Sequence, residues 1–196
     1  MIQSFKDHCI AEATAESVVI NFGRFNPPTN GHEKLLNASV KLAIGVHRVY
    51  PSQSVDAKKN PLGFSDKVKF MRKMYPKHAR SILMDKSVRS FFDALVVAHN
   101  DGFKKCTVVV GSDRVKEFDK ALNKYNGVKS KHGFYEFDGG INVISAGERD
   151  PDSDDVSGMS ASKLRAAATD NDLITFTKGM PKGFKGAEAL MNAVRS

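Results

Sequence analysis

Only two cysteines occur in the 196 residues, Cys9 and Cys106, far apart in the chain. That excludes a disulfide framework and a cysteine-rich metal knuckle, and suits a cytoplasmic protein. No apolar run approaches the ~20 residues that a bilayer demands. The first thirty residues open with Ser4, Lys6, Asp7 and His8. This is not the basic segment and long apolar stretch of a signal peptide. Tryptophan is absent, and pairs such as Phe91-Phe92 read as packing residues, not as a platform for stacked bases. The histidines His8, His47, His78, His99 and His132 lack metal-ligand spacing, and no Gly-x-Ser-x-Gly elbow is present.

What the chain has is enough apolar material for a core, 41% of its residues, and a formal charge of +8. The charge points to polyanionic partners such as nucleotides or nucleic acid. Its groups are short, however: Lys58-Lys59, the face from Lys67 to Lys73, Lys104-Lys105 and Lys129 to Lys131. Runs of this length usually line solvated faces, so nucleic acid is the less favoured partner.

Patterning alternates between strand and helix. Residues 2–15 form an amphipathic segment with Ile2, Phe5, Cys9 and Ala13 on one face, and we set 1–16 apart from a domain covering 17–196. The run Val18-Val19-Ile20-Asn21-Phe22 has the length and continuity of a strand buried on both faces. Helix is expected from Glu33 to Ile44, strand at 46–50, and helix from Ser65 (as N-cap) to Met74. Strand is expected at 81–84, helix at 90–99, strand at 107–110 and helix at 113–125. Strands at 134–137 and 141–144 flank the turn Asp138-Gly139-Gly140, and a polar loop spans 146–159. Helices at 160–169, 172–178 and 187–195 close the chain. This order predicts an α/β fold: a Rossmann-like, doubly wound parallel sheet with helices on both faces and a helical C-terminal part. Ligands of such sheets bind beyond the carboxyl ends of the strands, here after Phe22, Val110 and Ile144.

The first such place reads Gly23-Arg24-Phe25-Asn26-Pro27-Pro28-Thr29-Asn30-Gly31-His32 and runs directly into a helix. Gly23 permits the turn, the prolines stiffen it, Gly31 allows close backbone approach, and a helix start offers N–H groups to an anion. This loop resembles the signature of the cytidylyltransferase-like nucleotidyltransferase superfamily, in form closest to its nicotinamide-mononucleotide-adenylyltransferase-like members. Thr29 departs from the majority form, which carries a first histidine there. The superfamily's other signature is similar to Ser160-Ala161-Ser162-Lys163-Leu164-Arg165. Capped helices with a nearby arginine are common, so this motif gains its weight from following the first in the expected order. Val108 to Asp113 and Asn60 to Val68 resemble further stretches of these enzymes, and the opening residues resemble tailed-phage proteins.

The resemblance implies transfer of AMP or CMP from ATP or CTP to a phosphorylated small-molecule acceptor, with release of pyrophosphate. It implies a catalytic group of His32, Thr29, Ser162 and Arg165, with His32 at the α-phosphate and Ser162 and Arg165 on the outer phosphates. Gly23, Arg24, Phe25, Asn26, Gly31, Gly111, Asp113 and Ser160 would line the nucleotide, and Lys58 and Lys59 would meet the acceptor's phosphate. Magnesium would arrive with the triphosphate, and a phage-encoded chain would work in its host's cytoplasm. Three readings stay open: a nicotinamide-nucleotide adenylyltransferase, a cytidylyltransferase acting on a phosphorylated alcohol or sugar, and a non-catalytic binding protein of the same fold. A homo-oligomer stays open as well.

Overall fold

In a computed structural model of the chain, the residues described are 16–147 and 159–195. The expected segment 2–15 and most of the expected loop 146–159 lie outside them. Strand β1 (Ser17–Gly23) leads through helix α1 (Asn30–Leu42) to β2 (Val46–Pro51). Helices α2 (Phe64–Met74) and α3 (Phe91–Asn100) precede β3 (Lys105–Val110). Helix α4 (Val115–Asn123) leads to β4 (Ile141–Ser145), and α5 (Ala161–Thr169), α6 (Leu173–Lys178) and α7 (Ala187–Arg195) follow. The fold is α/β, a four-stranded parallel sheet with flanking helices and a helical C-terminal part. Among the described residues no helix is long and apolar enough to cross a membrane.

The strand order is β2-β1-β3-β4. The chain moves outward from β1 to β2 and then returns to β1's other side, so the order reverses between β1 and β3. Their parallel pairing runs from Ser17↔Lys105 to Ile20↔Val108, although both strands continue. Beyond that point a side chain takes over the ladder's work. Asn21 Nδ2 donates to the Val109 carbonyl at 2.9 Å, and His47 Nε2, on β2, lies 2.7 Å from Asn21 Oδ1. The amide oxygen accepts, so His47 carries its hydrogen on Nε2. A polar residue is tolerated inside this apolar strand because both ends of its amide are satisfied.

The chain divides into two compact units. The described part of the first is 16–21, 37–49 and 87–147, and of the second 22–36, 50–86 and 159–195. The first packs Val18, Val19, Ile20, Leu95, Val108 and Val109 into its core. The second packs Phe25, Leu36, Tyr50, Met71, Tyr75, Leu164 and Leu190. The helices expected from 90, 160 and 172 are capped by Ser90, Ser160 and Asp172, each accepting from the backbone N–H three residues on.

Three local expectations fail for identifiable reasons. Helix α2 starts one residue before Ser65, and its N-cap Gly63 offers no side chain. The start is set instead by Leu62, whose N–H and carbonyl are both held by the Asn26 amide. Residues 81–84 form no strand: Arg72 captures the Ile82 carbonyl with Nε (3.0 Å) and Nη2 (2.7 Å), and the Ile82 N–H turns back to His78. Residues 134–137 form none either, because the Asn126 amide pairs with both backbone groups of Phe137 as a neighbouring strand would. The turn at 138–140 is present, with Gly139 and Gly140 at φ +73° and +83°.

Candidate functional site

The second unit brings both sequence motifs to one place. The loop leaving β1 begins with Gly23, whose carbonyl accepts the Ser52 N–H at 2.7 Å and so ties the end of β1 to the end of β2. A Cβ at Gly23 would stand 3.1 Å from the Phe25 ring, which folds back over it. Phe25 is buried, adopts φ +44° and sets its ring edge-on to His32, with centroids 4.9 Å apart. Asn26 is buried and clamps Leu62 from both sides, so the loop after β1 and the segment after β2 are one construction.

Thr29 is only 2% exposed and organises His32. Its N–H donates to His32 Nδ1 at 3.0 Å, its hydroxyl lies 3.0 Å from the same nitrogen, and that hydroxyl accepts the His32 N–H at 3.3 Å. A backbone amide can only donate, so Nδ1 presents its lone pair and the ring carries its hydrogen on Nε2. The Thr29 carbonyl is held in turn by the buried Tyr75 hydroxyl at 2.6 Å. Thr29 therefore serves as the positioning residue of His32. The α1 start is less open than its sequence suggests. The Asn30 N–H donates to Gly179 and the His32 N–H to Thr29, leaving side chains rather than these two amides to meet an anion. A Cβ at Gly31 would meet only Thr29 Oγ1, at an ordinary 3.5 Å, so packing within the chain does not demand glycine there.

The second motif closes on the first. Arg165 Nη1 donates to the Asn26 carbonyl at 2.8 Å across 139 residues of sequence, and Nη2 donates to Ser162 Oγ at 3.0 Å. Ser160 caps α5 by accepting from the Lys163 N–H at 3.2 Å. Burial pulls the Arg165 guanidinium below its ordinary pKa, Arg24 adds to that pull, and Asp56 opposes it. Arg24 itself is exposed.

Asp56 shapes the lysine loop. Its carboxylate accepts the N–H groups of Lys59 (2.6 Å) and Lys58 (3.1 Å), and the Asn60 amide also donates to it. These donors, Lys59's first, hold its carboxyl below the usual range. The turn sends the two lysines different ways. Lys58 lines a cleft of about 410 Å³ with Pro61, Ser162, Arg165, Thr169 and Val194, and Lys59 does not. Gly111 and Asp113 belong to the first unit, where a 3-10 turn (Ser112–Arg114) follows β3. There Asp113 bends back so that a Cβ at Gly111 would stand 2.8 Å from its Oδ1.

Three contributors escaped the sequence reading. Lys67 was grouped with a charged helix face, yet it is fully buried and donates to the Ser52 carbonyl at 2.6 Å. Burial pushes its ammonium down to about 8. Tyr75 reads as an ordinary core aromatic. Gly179 reads as a helix end, yet a Cβ there would strike Leu164 at 2.7 Å while its carbonyl holds Asn30. None carries a local signal, because each acts on a residue far away in sequence.

Together these residues offer three cationic side chains, a hydroxyl and an imidazole N–H to a ligand, and the Asp56 carboxylate is engaged by its own turn. Such a set suits clustered phosphate oxygens. No protein-family model matches the chain, and no curated protein matches it.

Proposed function

We propose that the protein is a nucleotidyltransferase of the cytidylyltransferase-like superfamily, moving AMP or CMP from a nucleoside triphosphate to a phosphorylated small molecule. The observation that supports this most is the bond from Arg165 to the Asn26 carbonyl, which joins the two sequence motifs beside the cleft that Lys58, Ser162 and Arg165 line. In the proposed reaction an acceptor phosphate oxygen attacks the α-phosphorus, the new P–O bond forms, and pyrophosphate leaves with the electrons of the broken one. No protein nucleophile is required. Charge grows on the non-bridging oxygens, where His32 would donate through Nε2–H. Arg165 and Lys58 would neutralise the departing pyrophosphate or the acceptor's phosphate, and Arg24 would add a mobile clamp. Positioning and electrostatic stabilisation of this kind supply most of the acceleration in phosphoryl-group chemistry.

Among the described residues no three His, Cys, Asp or Glu side chains gather to hold a metal. In the proposed reaction magnesium would come with the triphosphate, held by phosphate oxygens, and would supply charge neutralisation. The reading places the protein in the cytoplasm, where both are plentiful. The experiment is pyrophosphate release across ATP and CTP, each with a panel of phosphorylated acceptors that includes nicotinamide mononucleotide and phosphorylated alcohols and sugars. Release that requires one nucleotide and one acceptor, and that falls by orders of magnitude in His32→Ala at unchanged melting temperature, supports the proposal. Release with nicotinamide mononucleotide identifies the adenylyltransferase form, which the motif resemblance favours. No release with any pair, alongside salt-sensitive binding of nucleic acid, replaces it with the binding-protein reading.

A further inference from the structure

Within the first unit, four large apolar side chains fall in seven residues and stand in solvent. Val40 is 50% exposed, Leu42 53%, Ile44 68% and Val46 40%. Single exposed apolar residues are ordinary, but four this close in sequence, at the end of α1 and the start of β2, point to a surface that is normally covered. At its centre Gly45 lies against the start of β1, so close that a Cβ would stand 2.6 Å from the Ser17 carbonyl oxygen. The start of β1, where the described chain begins, therefore lies beside Ile44 and Val46.

That upstream stretch, residues 1–15, lies outside the described residues. Its sequence places Ile2, Phe5, Cys9 and Ala13 at helical spacing on one face, with Ser4, Asp7 and Thr14 opposite. As a helix it extends ~20 Å at ~1.5 Å per residue, long enough to lie along the group. Its attachment at Ser17 gives it an effective concentration in the millimolar range, an advantage that a second copy of the chain lacks. We propose that residues 2–15 dock as an amphipathic helix on the surface formed by Val40, Leu42, Ile44 and Val46 of the same chain.

The native Cys9 makes the proposal testable in the whole chain, since the other cysteine, Cys106, is buried and its thiol is pushed far up by that burial. Val40→Cys, Leu42→Cys, Ile44→Cys and Val46→Cys are prepared singly and exposed to mild oxidant, with Ile174→Cys, at an exposed position in the other unit, as reference. A disulfide needs Cα atoms about 4.4–6.8 Å apart. The expected result is an intrachain disulfide to Cys9, lost after reduction, at one or more of the four positions and not at 174. Bonding only between chains assigns the surface to a second copy and overturns the proposal, as does bonding no greater than the reference. A second measurement is amide exchange over residues 40–46. The Phe5→Asp variant of the whole chain is expected to exchange faster there than wild type, and equal rates overturn the proposal.

Discussion

Thr29 holds His32 through its backbone and its hydroxyl at once, and a substitution can remove the hydroxyl alone. Thr29→Val keeps the volume and deletes the hydroxyl, leaving the backbone N–H as the only group from residue 29 on Nδ1. The expected cost is about 1 kcal/mol of stability by thermal unfolding, with a larger loss in kcat than in KM, and Thr29→Ser restores both. Thr29→His, which would recreate the superfamily's majority form, has no room at 2% exposure. It is expected to lose about 1–3 kcal/mol through overpacking. Lys67 gives a pH signature. The unfolded chain keeps that proton to about pH 10.4, whereas the native state releases it near 8. Between those values the unfolded state binds more protons, so this lysine's contribution to stability rises with pH, its penalty being fully present below 8. Cys106 and Tyr135, whose pKa values burial raises, act in the opposite direction. Unfolding free energies of wild type minus Lys67→Met cancel those common terms, and the difference is expected to climb between pH 8 and 10. A flat difference would mean that Lys67 is not desolvated.

At the scale of elements, alternation and the Ser160 cap were legible in the sequence because their causes are local: a buried β-branched run, a serine three residues ahead of the N–H it caps. The failures share one cause. Asn126, Arg72 and Asn26 capture backbone groups from 10 to 36 residues away, and no periodicity in the captured segment announces it. The same holds in the site. Its two motifs stand out in the sequence and meet through Arg165 and Asn26, while the buried positions of Lys67 and Tyr75 and the contrast between Lys58 and Lys59 depend on contacts distant in sequence. Asn21 shows what such a capture is worth. Asn21→Leu keeps the size of the side chain but strands the Val109 carbonyl and the His47 Nε2–H. A loss of about 2–4 kcal/mol is expected, measured by denaturant unfolding. A loss under about 0.5 kcal/mol, typical of uninvolved surface sites, would mean that the sheet end closes without it.

For the molecule as a whole, ligand linkage provides the decisive measurement. A nucleotide that binds only the native state adds RT ln(1 + [L]/Kd), about 2.7 kcal/mol at a hundredfold excess, or a rise of several degrees in Tm. ATP or CTP with magnesium is expected to produce that rise in wild type and to lose most of it in Arg165→Ala, while Lys59→Ala, outside the cleft, keeps it. Equal shifts in all three would separate nucleotide binding from the cleft. The bond from Arg165 to Asn26 also has a consequence in time. The chain crosses between its two units at 21/22, 36/37, 49/50 and 86/87, and again between 147 and 159. During ribosomal synthesis at about 5–20 residues per second, Asn26 emerges roughly 7–28 s before Arg165. Leu62, only 36 residues downstream, can clamp the loop early. The guanidinium arrives last, so a nascent chain carries a shaped loop without its principal charge for all of that time.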